Sequence, residues 1–288
     1  MRRISLRTGL VVLTIFCICI AAYSNAARKQ RQAVRHLSQL GAEIIYAHDT
    51  DVGGTGEVSA PRWLVGILGV DYFSTVQSLY VSNCKNSDLE FIADLHGLRS
   101  LSVLDQEVSD IRPLSKLKKL EYLRLWNSKI RSLDAIKDLP KFRHLSLNNN
   151  DLLSSLSPLV ESSRRSFTTL FLWGEFENDF ETLVELEGLE KLRLYNRSCK
   201  VDLRQLGRIA NLESLWIENM PLDDLEWVPE LKRLERITIR KIPLDDLTPL
   251  SRASSLSRVE IGRRGTIANA KVLELQKLMP NCKISHAW

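Results

Sequence analysis

From Val76 to Ile261 one phrase recurs nine times: an apolar residue, two variable ones, an apolar residue, one variable residue and a third apolar one. It starts at Val76, Leu98, Leu120, Phe142, Phe167, Leu189, Leu212, Leu234 and Leu256, with spacings of 22, 22, 22, 25, 22, 23, 22 and 22 residues. A chain written with so fixed a period does not wrap one central core. Each unit exposes the same short apolar edge and can bury it only against the next unit, so the units must stack. The period therefore predicts a solenoid, and with it a long curved surface rather than a catalytic cleft.

One repeat shows how the pattern works. Side chains alternate along a strand, so Leu123 and Leu125 share one side while Arg124 and Trp126 take the other. Leu120 and Ile130 point inward from the flanking turns. Parallel strands lie about 4.8 Å apart, so nine coils span roughly 40 Å. Twelve residues after the repeat start stand Asp110, Asp179, Asp224 and Asp246, each just ahead of an apolar turn. An aspartate there can cap the short helical turn that carries the chain back along the convex side, and the prolines at 113 and 249 suit the start of such a turn. The other reading, a column of carboxylates holding a cation, lacks the further oxygen ligands that calcium requires.

These residues resemble the 22-residue repeats of internalins and of the SDS22-like leucine-rich repeat class, over about residues 76–264. The resemblance implies an α/β solenoid: a leucine-rich repeat with a parallel concave sheet of about nine coils and short 3-10 or helical convex segments. It implies protein binding through the concave face, with no cofactor and no metal. At the position where the class carries an inward asparagine, this chain has Asn150, but also Cys84, Ser128, Glu175, Arg197 and Met220. The asparagine ladder is therefore expected to be incomplete.

The ends complete the expectation. Residues 41–46 read as a strand and Pro61 to Leu68 as a short helix, an N-terminal cap in which Trp63, Leu64, Ile67, Leu68, Tyr72 and Phe73 cover the first coil. Ala268 to Met279 reads as a closing helix with Ala270, Leu273, Leu275 and Leu278 as its apolar set, stopped by Pro280 and followed by a last strand. In front of everything, Leu10 to Ala22 is uncharged and apolar, with Arg2, Arg3 and Arg7 before it and Arg28, Lys29, Arg31 and Arg35 after it. A transmembrane helix needs about 20 such residues, which Ile4 to Gly9 and Tyr23 can supply. The competing reading is a signal peptide cleaved near Ser24 to Ala26, leaving a secreted protein. The basic stop region favours an uncleaved anchor, and the first seven residues after Met1 are similar to those of membrane-tethered bacterial proteins with this cap and repeat order. The expected division is an anchor or uncleaved signal over 1–27, a basic juxtamembrane helix and N-terminal cap over 28–75, repeats over 76–264 and a C-terminal cap over 265–288. The export-like first 27 residues put the repeats on the non-cytoplasmic side of a single-pass protein.

Charge and reactive residues narrow the function. Seven of the 40 Lys and Arg lie in residues 1–35, which hold no acid, so the rest of the chain carries 33 against 35 Asp and Glu. The basicity belongs to the anchor, and the folded part lacks the basic excess that nucleic-acid binding calls for. Cys84, Cys199 and Cys282 fall in inward slots and read as buried free thiols. The five histidines are scattered, with no metal-ligand spacing. Residues 49–56 are similar to a calcium loop, but position twelve is Ala60 rather than an acid, so a cap loop is the better account. No catalytic constellation is present, and a binding module rather than an enzyme is expected.

The outward strand positions carry the functional signal. The fifth residues of the repeats run Tyr80, Ser102, Arg124, Ser146, Phe171, Arg193, Trp216, Thr238 and Glu260; the seventh run Ser82, Leu104, Trp126, Asn148, Trp173, Tyr195, Glu218, Arg240 and Gly262. Arg124, Trp126, Phe171, Trp173, Arg193, Tyr195, Trp216 and Arg240 thus form the candidate partner-binding face of a monomeric solenoid. Aromatics and Arg are the types enriched at binding hot spots. The alternatives are a stack of rings that only stiffens the sheet, an envelope scaffold with no single ligand, or a glycan-binding surface. Toward the C-terminus the face turns basic, with Arg236, Arg240, Lys241, Arg258 and Arg263. That suits either an acidic partner segment or a solvated mixed surface.

Overall fold

The repeat register becomes the strand register. The computed structural model describes residues 6–50, 58, 60–104, 107–164, 166–174, 180–196, 203–262 and 267–287. Nine parallel strands follow the nine repeat starts: β2 (Val76–Ser82), β3 (Ser100–Leu104), β4 (Tyr122–Trp126), β5 (His144–Asn148), β6 (Thr169–Trp173), β7 (Lys191–Tyr195), β8 (Ser214–Glu218), β9 (Arg236–Arg240) and β10 (Arg258–Gly262). An antiparallel β1 (Glu43–Tyr46) closes one edge, and a parallel β11 (Lys283–Ala287) closes the other. Leu123 pairs with Leu101 and Leu145, and Leu125 with Val103 and Leu147, so the apolar columns run unbroken from coil to coil.

Leu120, Leu123, Leu125 and Ile130 are fully buried, and so are their equivalents Phe142 and Phe167, whose rings stack at 5.8 Å. The 25-residue repeat is absorbed outside the sheet, since His144 still pairs with Thr169. The convex returns are helices α4 (Asp88–Ala93), α5 (Pro158–Ser163) and α6 (Phe180–Val184), or 3-10 turns such as Arg112–Lys116, Val228–Glu230 and Thr248–Arg252. The Asp110, Asp224 and Asp246 carboxylates accept the backbone N–H two residues on, at 2.8 to 3.0 Å. Ser132 takes the same place in its coil, accepting from the Asp134 N–H. Asp179, Cys199, Glu175, Arg197 and most of the 49–56 loop lie outside the described residues.

Two columns follow the strands. Among the described residues at the ladder position only Asn150 and Ser128 are buried polar groups; the Asn150 amide donates to the Leu125 and Asn148 carbonyls at 3.0 and 2.9 Å. Cys84, Met220 and Ile242 fill it with apolar atoms instead. One residue earlier the backbone turns left-handed at Asn83, Asn127, Asn149, Asn219 and Lys241. Asparagine tolerates that conformation best after glycine. Gly174 occupies the same place at φ 131°, where an added Cβ would lie 3.2 Å from the Asn149 nitrogen.

The N-terminal cap differs from the expectation. Helix α1 is continuous from Leu6 to Gln39. Its segment Leu10–Gln39 is long and apolar enough to cross a membrane by length and composition, and residues 10–22 are exposed. The second half is the cap. Ala27, Gln30, Ala33 and Leu37 recur on one helical face and are buried against the first coil. Gln30 ties the sheet edge, donating to the Ser74 carbonyl at 2.8 Å and accepting from the Val76 N–H at 3.2 Å. Lys29 pairs with Asp94 of the first coil at 3.1 Å and Arg31 with Asp71 of the cap at 3.6 Å, so part of the basic stop region is held by the folded domain. His36 sits 2.7 Å from Asp88 and stacks on Phe91. Helix α2 (Ala47–Thr50) follows β1, and α3 (Arg62–Leu68) follows it. Helix α3 has no fully buried residue: Trp63 and Ile67 are 67% and 71% exposed and do not cover the first coil, whereas Leu64, Leu68, Tyr72 and Phe73 are half-buried. Helix α1 already occupies that surface.

At the other end α7 (Asn269–Leu278) forms where a helix was predicted, but with a different buried face. Val272, Leu275 and Met279 pack inward, whereas Ala270, Leu273 and Leu278 are exposed. Only Leu275 of the expected set is buried, because β11 and the last coil contact the helix about a third of a turn away from the face with most leucines. Cys84 and Cys282 are buried, as expected for inward slots, and burial pushes the Cys282 thiol up.

Candidate functional site

In-register pairing sets the outward residues in two rows across the concave face. In the fifth-position row Ser146, Phe171, Arg193, Trp216 and Thr238 are successive neighbours. In the seventh-position row the order is Trp126, Asn148, Trp173, Tyr195, Glu218 and Arg240. Six of the eight candidate residues, Phe171, Trp173, Arg193, Tyr195, Trp216 and Arg240, therefore fall on the four adjacent strands β6 to β9. Arg124 and Trp126 lie on β4, separated from the others by β5.

Those six are locked together. Trp173 and Tyr195 stack with centroids 3.9 Å apart and planes 13° apart. This leaves Tyr195 only 6% exposed, although its strand position points away from the core, while Trp173 remains 40% exposed. The Arg193 guanidinium carbon lies 3.7 Å from the Trp216 ring centroid and 5.2 Å from that of Phe171. Arg240 reaches the same indole at 4.3 Å. Glu218 is nearly buried; it accepts from the Trp216 indole N–H at 3.2 Å and pairs with Lys241 at 2.7 Å. Gly262 makes room for Arg240, since a Cβ there would sit 2.4 Å from the Arg240 Cγ. Stacking of cations on a partly desolvated indole stabilises by about 1–2 kcal/mol per pair. Burial, with the charge of Arg240 adding to it, holds the Arg193 pKa below its ordinary range, and Glu218 acts in the opposite direction.

The smaller cluster on β4 is looser, with Arg124 exposed and 5.8 Å from the Trp126 ring. Two residues that sequence reasoning did not select join it to the rest. His144 lies edge-on to Phe171 at 4.7 Å and tilted to Tyr122 at 5.7 Å. Both occupy third repeat positions, which share the outward parity of the fifth and seventh, so the same alternation rule would have found them. Burial first, then the charges of Arg124 and Lys191, lowers the His144 pKa to about 4, and the ring is neutral at pH 7.

Among the described residues, no three His, Cys, Asp or Glu side chains are grouped to hold a metal ion. The site offers stacked rings, guanidinium donors and one occupied carboxylate.

Neither a protein-family model nor a curated protein sequence matches the chain. Solved structures do. An internalin, inlF, from Listeria monocytogenes is 23% identical, with a TM-score of 0.56 over 73% of this chain and 66% of that one. Internalin C2 from the same organism is 21% identical, with a TM-score of 0.49 over 66% of this chain and 86% of that one. A Leptospira interrogans leucine-rich repeat protein is 17% identical, with a TM-score of 0.38. The chain spans slightly less than two thirds of the inlF chain, and at 23% identity the likeness to inlF is one of fold. With its nine in-register coils, it places the chain among proteins of the leucine-rich repeat fold, with internalin-like coils.

Proposed function

We propose that the protein is a membrane-anchored, non-enzymatic binding module that docks another protein on its concave face. The observation that carries this reading is the aromatic and arginine cluster on β6 to β9, where Trp173 stays 40% exposed on top of a rigid stack. Large rings held in place on a firm sheet lose little entropy on binding and serve as anchors. The leucine-rich repeat fold suits protein interaction generally.

The anchor is residues 1–27, the N-terminal cap 28–75, the repeats 76–264 and the C-terminal cap 265–288. Support for an uncleaved helix comes from Tyr23 and Ser24, which lie before or within the candidate cleavage site and bond the Tyr72 carbonyl and hydroxyl. The repeats lie on the non-cytoplasmic side in this reading. Protease shaving of intact cells should digest them without lysis; digestion only after lysis would reverse the topology.

The test of docking is affinity capture from native envelope extract on the full-length protein in detergent, beside a Trp126→Ala, Trp173→Ala, Trp216→Ala variant with a matching cooperative melt. A protein retained by the native face alone is the expected result. Equal retention would make the ring stack a stiffening device.

A further inference from the structure

We propose that the arginines on either side of β8, Arg193 and Arg240, receive the carboxylates of an extended acidic peptide segment of the partner. The inference rests on the docking reading above and names the partner's chemistry. Both guanidiniums are gathered on the Trp216 indole, at 3.7 and 4.3 Å from its centroid. Neither has an ion-pair partner among the described residues, and the Arg240 Nε is buried without a hydrogen-bond acceptor. The one carboxylate between them, Glu218, is engaged by Lys241 and the Trp216 indole. Two like charges held close on a half-buried surface repel each other, and an incoming carboxylate relieves that repulsion while meeting the planar donor fork of arginine.

The wider face agrees. The outward positions of β7 to β10, with the turn residue Lys241, hold Lys191, Arg193, Arg236, Arg240, Lys241 and Arg258 against Glu218 and Glu260. Glu190, Glu213 and Glu235 precede their strands, three residues back from the Arg193 and Trp216 row, roughly 10 Å at the usual rise per residue. The positive field is thus confined to about four strands, roughly 15 Å wide. That suits a short segment with spaced carboxylates better than a long polyanion, which Glu218 and Glu260 would repel. An extended segment laid across the strands presents alternate side chains roughly 7 Å apart on one side. Two carboxylates at that spacing can reach both guanidiniums, and a neighbouring apolar side chain can rest on Trp173.

The test is fluorescence anisotropy on the full-length protein in detergent, with a labelled 12-residue peptide alternating Glu and Thr, its Gln and Thr counterpart, and a 12-nucleotide oligothymidylate. The Glu peptide should bind at least about tenfold more tightly than the Gln peptide, with an affinity that falls as salt rises. Arg193→Gln with Arg240→Gln should abolish that preference, and Arg193→Lys with Arg240→Lys should keep only part of it. Equal binding of the two peptides by the native protein, a test that needs no variant, overturns the proposal; so does a Glu preference that survives in the folded Gln variant. Tighter binding of the oligonucleotide also overturns it, in favour of a general polyanion surface. The same capture experiment separates the two levels of the argument. Retention lost in the tryptophan variant but kept in the arginine variant would leave docking intact and remove the acidic segment.

Discussion

The two halves of the concave face are built on the same interior and present different surfaces. On β2 to β4 the outward residues are mostly small or loosely held: Ser82, Ser102 and Leu104, with Arg124 5.8 Å from the Trp126 ring. On β6 to β9 the ring and guanidinium contacts contract to between 3.7 and 5.2 Å, and Tyr195 and Glu218 become nearly buried outside the core. The inward columns show no such contrast, since Leu101, Leu123, Leu170 and Leu192 are all buried alike. A repeat protein can therefore vary recognition along its length without altering the packing that holds it together.

That contrast should fail in the core and hold on the surface. The largest effect is expected from Leu125→Ala on β4 and Leu194→Ala on β7, both fully buried. Each should destabilise by about 2–5 kcal/mol, and by similar amounts, in chemical denaturation of the full chain in detergent. A systematic difference between them would show that the two halves differ below the surface as well. Next, Trp173→Ala should cost about 1–2 kcal/mol, because it removes the ring stacked on Tyr195. Trp126→Ala should cost about 0.5 kcal/mol or less, since its cation contact is long and Arg124 is exposed. Equal costs would erase the distinction between a locked and a loose half.

A pH-dependent effect of intermediate size concerns His144, at the join of the two halves. Its pKa is about 4 in the folded protein, against roughly 6.5 for an unperturbed histidine. Between those values the unfolded chain takes up a proton that the folded one refuses. The contribution of the neutral ring is therefore complete above pH 6.5 and declines as pH falls toward 4. Partial exposure limits it to about 1 kcal/mol. Subtracting the pH dependence of a His144→Gln variant should isolate this slope, and a His144 resonance, assigned by its loss in that variant, that titrates near 6.5 by NMR would contradict the burial.

Much of the molecule was legible as text. The nine strands follow the apolar phrase, because an inward apolar residue every 22 to 25 residues leaves no other register in which all can be buried. The capping roles of Asp110, Asp224 and Asp246 were readable from their offset, and the rows of the candidate face from strand alternation. In the N-terminal cap the strand and the short helix were legible, but not the residues that cover the first coil. Trp63 and Ile67 are the kind of residues that cover cores, yet that surface is taken by Ala27, Ala33 and Leu37. In sequence, those three sit unobtrusively among arginines and glutamines after an apolar run. The same happened in α7, where the more numerous leucines face outward and Val272 faces in.

The sequence by itself determined the coil, its period, the parallel sheet and the identity of the outward columns, because those follow from alternation and repetition within each unit. Only the tertiary structure decided which outward residues touch, which arginines are left without an acid, and which helix closes the first coil. Those outcomes depend on side chains from separate coils competing for the same space, and no single repeat carries the information to settle that competition.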